Sequence, residues 1–343
     1  MTHALRLTSP GDLIAVVPYI LGFHPSDSVV VLCVHDAHLG LLQRLDLPAV
    51  GHEDHVADAL LPAILRERPD AVLVIGYEDS PGQSVAVLAA VDRALRAAGI
   101  PVKDRLVVHD GRWRSLDCDN PSCCPPGGTP VPEPPDLAAI AAEFVGQEVA
   151  PHPDRASLAR QLEPHDDALT VAALIEGRDS TDRSQGESDP LPVWAVVLDA
   201  SDAPRPLTAA DAARAALSLG DVQVRDALVG WLTPGSVDPA VFAPDVWRLF
   251  SGVDRAWDEH DSDATAVIAQ NRVQARLVRL CAMLPDPHAA PALSVLGCFT
   301  WWRGNGALTR AALDRALRCQ PDYRLAQLLE AMVDLAIRPR PHS

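Results

Sequence analysis

The sequence predicts an α/β fold, a mixed and partly parallel sheet with flanking helices, followed by an all-α helical domain. Three observations carry this. Short apolar, β-branched runs alternate with helix-spaced segments over residues 10–109. From Thr208 to the C-terminus the apolar spacing is helical. The length of 343 residues suits about two domains at roughly 150 residues each. The expected division is 1–150 for the α/β domain with its cysteine loop, 151–206 for bridging helices and an acidic linker, and 207–343 for the helical domain.

Ser9-Pro10-Gly11-Asp12 starts the first helix. Ser9 can cap it, Pro10 suits the first helical position and Asp12 sits at the capping-box position. Leu13, Val16, Val17, Ile20 and Leu21 keep helical spacing, and Gly22 is a stop signal. A loop, Phe23-His24-Pro25-Ser26-Asp27, precedes the buried strand Ser28–Val34. The polar turn His35–His38 leads to a second strand, Leu39–Leu47. Helix 53–67, strand 71–77, helix 83–98 and strand 102–109 follow, with Ala-Val-Leu-Val-Ile-Gly-Tyr at 71–77 the strongest β signal. Asp110-Gly111 is a hairpin signal that returns the chain through Arg112–Leu116. A Pro-rich stretch, 125–135, closes the unit, and helices are expected near 136–146, 154–163 and 166–177. Glu176–Pro190 is polar and acidic, with the composition of a linker. Pro192–Asp199 is compatible with a strand or a short helix.

Thr208 caps an alanine-rich helix to Leu219, and Asp221 caps Val222–Leu232. Further helices fit 239–250, 263–284, 289–303, 306–319 and 322–337. Within them, Ala290–Tyr323 resembles a single tetratricopeptide repeat, on Leu293, Leu296, Gly297, Gly304, Leu313, Ala316 and Pro321. Thr300 and Thr309 depart from it. Such repeats need about three copies for stability, and one is found, so a plain helix hairpin is the competing reading.

The net charge of −17 argues against nucleic acid as a partner, because an acidic surface repels phosphate backbones. It favours solubility, or a basic partner. Lys103 is the only lysine. No signal peptide and no apolar run of about 18 residues is visible, so no membrane role and a cytoplasmic location are expected. In a reducing compartment the seven cysteines are thiols, metal ligands or redox groups. Cys33, Cys281, Cys298 and Cys319 lie in apolar patterns and behave as small buried hydrophobes.

The remaining three thiols stand close together in Cys118-Asp-Asn-Pro-Ser-Cys123-Cys124-Pro-Pro-Gly-Gly128. This is not the two-residue spacing of a zinc knuckle. Zinc wants four tetrahedral ligands, so Asp117, Asp119, His109 or the distant His24 would have to supply the fourth. Metal binding by Cys118, Cys123 and Cys124, with zinc the candidate ion, is one reading. Reactive thiols, raised by Asp117 and Asp119 and lowered by Arg112 and Arg114, are a second. A compact structural loop is a third.

His24 and Asp27 sit between a helix stop and a strand start, where α/β folds place ligand sites. They are the catalytic candidates, against a reading in which Asp27 merely fixes a turn. Gly76-Tyr77-Glu78-Asp79-Ser80-Pro81-Gly82 joins a strand to a helix but carries no phosphate-binding motif, and its two carboxylates would repel phosphate. Trp301-Trp302 fits core on one residue and rim on the other.

The combination of Leu-Thr-Ser-Pro-Gly-Asp-Leu at 7–13, Pro18-Tyr19-Ile-Leu-Gly-Phe-His24-Pro-Ser-Asp27-Ser28-Val and the cysteine segment resembles the actinobacterial family catalogued as domain of unknown function 4192. Arg225-Asp226-Ala, Ala-Leu-Asp-Arg-Ala-Leu at 312–317, Pro321 and Tyr323 extend the resemblance over nearly the whole chain. Gly127 departs from it, and residues 179–200 match less well. The resemblance implies one continuous fold and a cytoplasmic actinobacterial origin, and it implies no activity. Two functions compete. One is a non-catalytic α/β domain with a structural or metal-binding cysteine loop and a helical protein-interaction domain. The other is a cysteine/histidine-dependent enzyme, for thiol redox or metal-assisted hydrolysis, which needs His24 and Asp27 to meet the cysteines in one pocket.

Overall fold

A computed structural model describes residues 9–36, 38–132, 146–181, 190–258 and 263–337. The first helix, α1 (Pro10–Leu21), begins as its sequence dictates. Ser9 Oγ accepts from the Asp12 amide at 3.1 Å and the Asp12 carboxylate accepts from the Ser9 amide at 3.0 Å. Gly22 ends it in the left-handed region, φ 80°.

Next come β1 (Ser28–His35), β2 (His38–Asp46), α2 (Glu53–Glu67), β3 (Ala71–Glu78), α3 (Val85–Ala97), β4 (Val102–His109) and β5 (Arg112–Ser115). A short β6 (Thr129–Pro130), absent from the sequence expectation, completes a sheet of order β2-β1-β3-β4-β5-β6. Only β3 and β4 run parallel, joined by α3, and the other neighbours are antiparallel. The predicted mixed, partly parallel sheet is therefore present. Asp110 and Gly111 both take positive φ, 48° and 66°, as a two-residue hairpin between β4 and β5 requires.

Both faces of the central strands are covered, which explains the unbroken apolar runs at Val29–Cys33 and Val72–Ile75. One face meets α3: a side chain at Gly76 would lie 2.1 Å from Ser84 Oγ, so helix and strand touch only because position 76 has none. Trp113 lies on the other face, where a side chain at Gly11 of α1 would come within 3.1 Å of its Nε1. Register aligns Ser28, Tyr77, Val108 and Trp113 in one cross-strand row. In that row Ser28 Oγ, the Tyr77 hydroxyl and Trp113 Nε1 are buried without a hydrogen-bond partner among the described residues.

The described residues divide into two compact units, 9–132 and 146–337. The second unit contains α4 (Arg155–Arg160), α5 (Asp167–Thr181), α6 (Leu191–Val197), α7 (Ala209–Ser218), α8 (Val222–Leu232), α9 (Pro244–Ser251), α10 (Ala264–Met283), α11 (Ala290–Trp302), α12 (Gly306–Cys319) and α13 (Arg324–Asp334). The ambiguous segment at 192–199 is thus largely helical, and α5 runs six residues, 176–181, into the stretch read as linker. The helix expected at 136–146 lies almost wholly outside the described residues. In place of one helix at 239–250, a short turn of tight helix, Pro239–Val241, precedes α9, because Pro244 starts a new helix. Trp231, Trp257 and Phe299 form an aromatic chain through the core, with ring centroids 5.4 and 5.9 Å apart. Gly297 admits Leu329 of α13 more closely than it admits Leu313 of α12, 3.1 against 3.8 Å from its absent Cβ. Trp301 is core, donating from Nε1 to the Ile337 carbonyl at 2.8 Å, while Trp302 is half-exposed.

Candidate functional site

The cysteine loop leaves the sheet at the end of β5 and returns at β6. Its departure is clamped by polar contacts. Leu116 N–H donates to the Arg105 carbonyl at 2.7 Å, Ser115 Oγ donates to Asp104 at 2.6 Å, and Asp117 takes the Arg105 guanidinium on both carboxylate oxygens. Its return is clamped by Arg112, which donates to the Gly127 and Gly128 carbonyls at 2.6 and 2.7 Å. Gly128 takes φ 71° beneath Trp113, where a side chain would meet the Trp113 carbonyl at 3.0 Å.

Between the clamps, Asn120 folds the turn. Its carbonyl accepts the amides of Cys123 and Cys124 at 3.2 and 2.8 Å, and its side chain accepts the Ser122 amide at 3.0 Å. That curl lets the adjacent thiols of Cys123 and Cys124 turn to the same side as Cys118. All three Sγ atoms lie within 4.8 Å of one another, and Cys118 and Cys123 are 3.1 Å apart. Cys123 is exposed and the other two half-buried.

The electrostatics differ from the sequence expectation. Asp117 is neutralised by Arg105, whose guanidinium holds the carboxyl below its ordinary value. Arg112 is spent on carbonyls. The thiols act chiefly on each other: the hydrogen bond from Cys123 lowers Cys118, and the same contact raises Cys123 to about 11. Between Cys118 and Cys123, the contact favours charge on Cys118 and the proton on Cys123.

No histidine or carboxylate joins the three sulfurs among the described residues. His109 lies at the far end of β4, its Nδ1 3.0 Å from the Glu78 carbonyl. His24 is exposed and precedes β1, whose first residue pairs with Tyr77 near the carboxyl end of β3. Cys118 follows β5 at the opposite end, beside Arg105. His24 and Asp27 are thus not brought to the cysteines. Asp27 instead holds its own turn, at φ 42°, receiving the Gln83 side-chain amide and accepting the Leu47 amide at 3.0 Å on its carbonyl.

The β3–α3 loop is closed to anions by its own glutamate. Glu78, buried, accepts from the Gly82 and Ser84 amides at 2.8 Å each and from Ser84 Oγ at 2.6 Å. In the helical unit a cleft of about 700 Å³ is lined by Leu198, Asp199, Asp202, Arg255, Trp257 and Arg272. Both arginines are already engaged, Arg272 by Glu148 and Asp202, Arg255 by the Trp231 and Trp257 carbonyls. Among the described residues no helix is long and apolar enough to cross a membrane.

Sequence reasoning finds the three thiols and takes Arg112 only for a nearby charge, and it misses Asn120 and Arg105; these three residues shape the loop. The Asn-Pro pair at 120–121 was the available signal, since it favours turn initiation. The family model described as "Domain of unknown function (DUF4192)" matches residues 10–340. No curated protein and no solved structure matches the chain. The match spans most of the sequence, and the chain belongs to this family.

Proposed function

We propose, for this member of the domain of unknown function 4192 family, that the α/β unit is a non-catalytic domain holding a metal ion on Cys118, Cys123 and Cys124. The helical unit serves as the docking half for a protein partner. The observation that carries the metal reading is the convergence of three sulfurs within 4.8 Å in a loop tied down at both ends. Thiolate ligands suit zinc, and with three of them the fourth position is left to water or an outside ligand. A purely structural loop needs no such convergence of its thiols. The docking reading is supported by Leu328, Leu335 and Ile337, which are 47, 55 and 44% exposed on the last helix and just after it.

Elemental analysis of protein purified without chelator or affinity-tag metal tests this, paired with a thiol count before and after chelation. About one equivalent of zinc or iron, with three thiols released on chelation, is the expected result. Metal-free protein that takes up no added zinc, with all three thiols titrating freely, would overturn it.

A further inference from the structure

We infer that the cysteine loop is a three-thiol site for a trivalent thiophilic metalloid, with arsenite the simplest member of the class. This rests on the reading of the loop as a metal centre and narrows it. The donor set is all sulfur and three in number, and no histidine or carboxylate joins it among the described residues. Asp117 is the residue next to Cys118, and both its carboxylate oxygens face Arg105 at 3.1 Å. A tetrahedral zinc site is one ligand short here. A trivalent arsenic centre is not, because its lone pair occupies the fourth direction.

One of the three sulfur–sulfur spacings points the same way. Zinc–sulfur bonds of about 2.3 Å place tetrahedral thiolates about 3.8 Å apart. Cys118 and Cys123 are already closer, at 3.1 Å. A lone-pair-bearing centre compresses its three bond angles below tetrahedral and draws its donors together. The thiols are also reachable, Cys123 being exposed, whereas Cys33 and Cys281 are each 1% exposed.

The capture step balances without an oxidant. Arsenious acid carries three hydroxyl groups on arsenic. Three arsenic–oxygen bonds break and three arsenic–sulfur bonds form. Each thiol proton leaves with one hydroxide as water, so three waters are released. Neither arsenic nor sulfur changes oxidation state.

The test titrates the reduced full-length chain with sodium arsenite. Native mass spectrometry reads the adduct, and a chromogenic disulfide reagent counts the thiols left. A parallel zinc titration uses a chromophoric chelator as competitor. One arsenic per chain, with three thiols protected, is expected. Cys118→Ser, Cys123→Ser and Cys124→Ser should each weaken arsenite binding by at least the 10–100-fold, roughly, that losing even an outer-shell partner costs a metal site, and Cys319→Ser should not. Each serine variant should keep the wild-type circular dichroism spectrum, which shows that the chain is still folded, and should still bind phenylarsine oxide, which needs only two thiols. Zinc binding without arsenite binding would overturn the inference and leave the metal reading standing. Binding of neither would overturn both. Arsenite uptake undiminished in the serine variants would also overturn it.

Discussion

Arg112 in the α/β unit and Arg315 in the helical unit use the same device in opposite surroundings. Each turns its guanidinium onto backbone carbonyls in loops or at an element's end. Arg112 is exposed and closes the cysteine loop on Gly127 and Gly128. Arg315 is 1% exposed. It donates to the carbonyls of Leu162, Cys281 and Leu284 and pairs with Asp286 at 3.0 Å, joining the segment after α4, the end of α10 and α12. Water can reach Arg112 and Gly127, which are exposed, whereas Arg315 and the residues that accept from it through their carbonyls are buried. The same contact is thus a structural keystone in one place and a restraint on chemistry in the other.

Arg315→Ala breaks the comparison at its strong end. It strips the guanidinium from the buried Leu162 and Leu284 carbonyls, at about 1–3 kcal/mol each, and leaves Cys281 only its Leu284 amide, so the loss should reach about 3–5 kcal/mol in total. Urea unfolding followed by tryptophan fluorescence, with Trp231 and Trp257 as reporters in that unit, measures it. Arg315→Lys should recover little, since an ammonium cannot fork to the same acceptors. A loss under about 1 kcal/mol would show that water reaches the cluster and that burial does not separate the two arginines.

A second buried charge in the helical unit gives a pH signature. Burial raises the Asp211 carboxyl, but hydrogen bonds from Arg205 and Thr208 outweigh it and hold the group at about 2 against an ordinary 3.8. A folded value below the unfolded one contributes stability above about pH 4, and this is lost as the pH falls toward about 2. The contribution is roughly 2 kcal/mol. Stability of the wild type should fall through that window, and Asp211→Asn should flatten the slope. An unchanged slope in Asp211→Asn would assign the acid transition elsewhere.

The α/β unit is less completely satisfied. The Tyr77 hydroxyl is buried with no partner among the described residues, and burial raises its pKa, so it remains a protonated donor. Tyr77→Phe removes the orphan and should stabilise the chain by about 1 kcal/mol in denaturant titration. A loss of about the same size would mean that an ordered water already serves the hydroxyl, making this unit as well satisfied as the other.

Much of this fold was legible in local rules. Ser9, Asp12 and Gly22 bound α1, Thr208 and Asp221 cap their helices, and Asp110-Gly111 turns β4 into β5, because each acts within a few residues of itself. What depends on distant arrivals was hidden. Arg315 looks like one more charge on an amphipathic helix until segments 153 and 34 residues away in sequence bring it their carbonyls. Asp117 looks like a neighbour that raises thiol pKa until β4 brings Arg105 to it. Spacing placed the three cysteines in one loop, but their convergence needs the Asn120 carbonyl, and a backbone acceptor leaves no mark in composition. His24 and Cys118 seemed able to meet because sequence gives no sheet order, and register puts them at opposite ends.

The smallest expected change in stability carries the sharpest chemical readout. Arg112→Ala should cost under about 0.5 kcal/mol, as exposed substitutions usually do. Its effect should appear in the thiols. In the wild type the hydrogen bond from Cys123 lowers Cys118, and Cys123 keeps its proton to about 11. Alkylation of the metal-free chain by iodoacetamide, mapped by peptide mass across the alkaline range, should therefore label Cys118 before Cys123, and Cys123 only at high pH. With Arg112 gone, the Gly127 and Gly128 carbonyls are released and the turn can open. The sulfur–sulfur contact then loosens, and both groups move back toward the ordinary thiol value of 9.0. Cys118 should react more slowly at neutral pH and Cys123 faster, so the two profiles converge. If they stay apart in Arg112→Ala, the turn is held by Asn120 alone. The resemblance between the two arginines would then be one of geometry only.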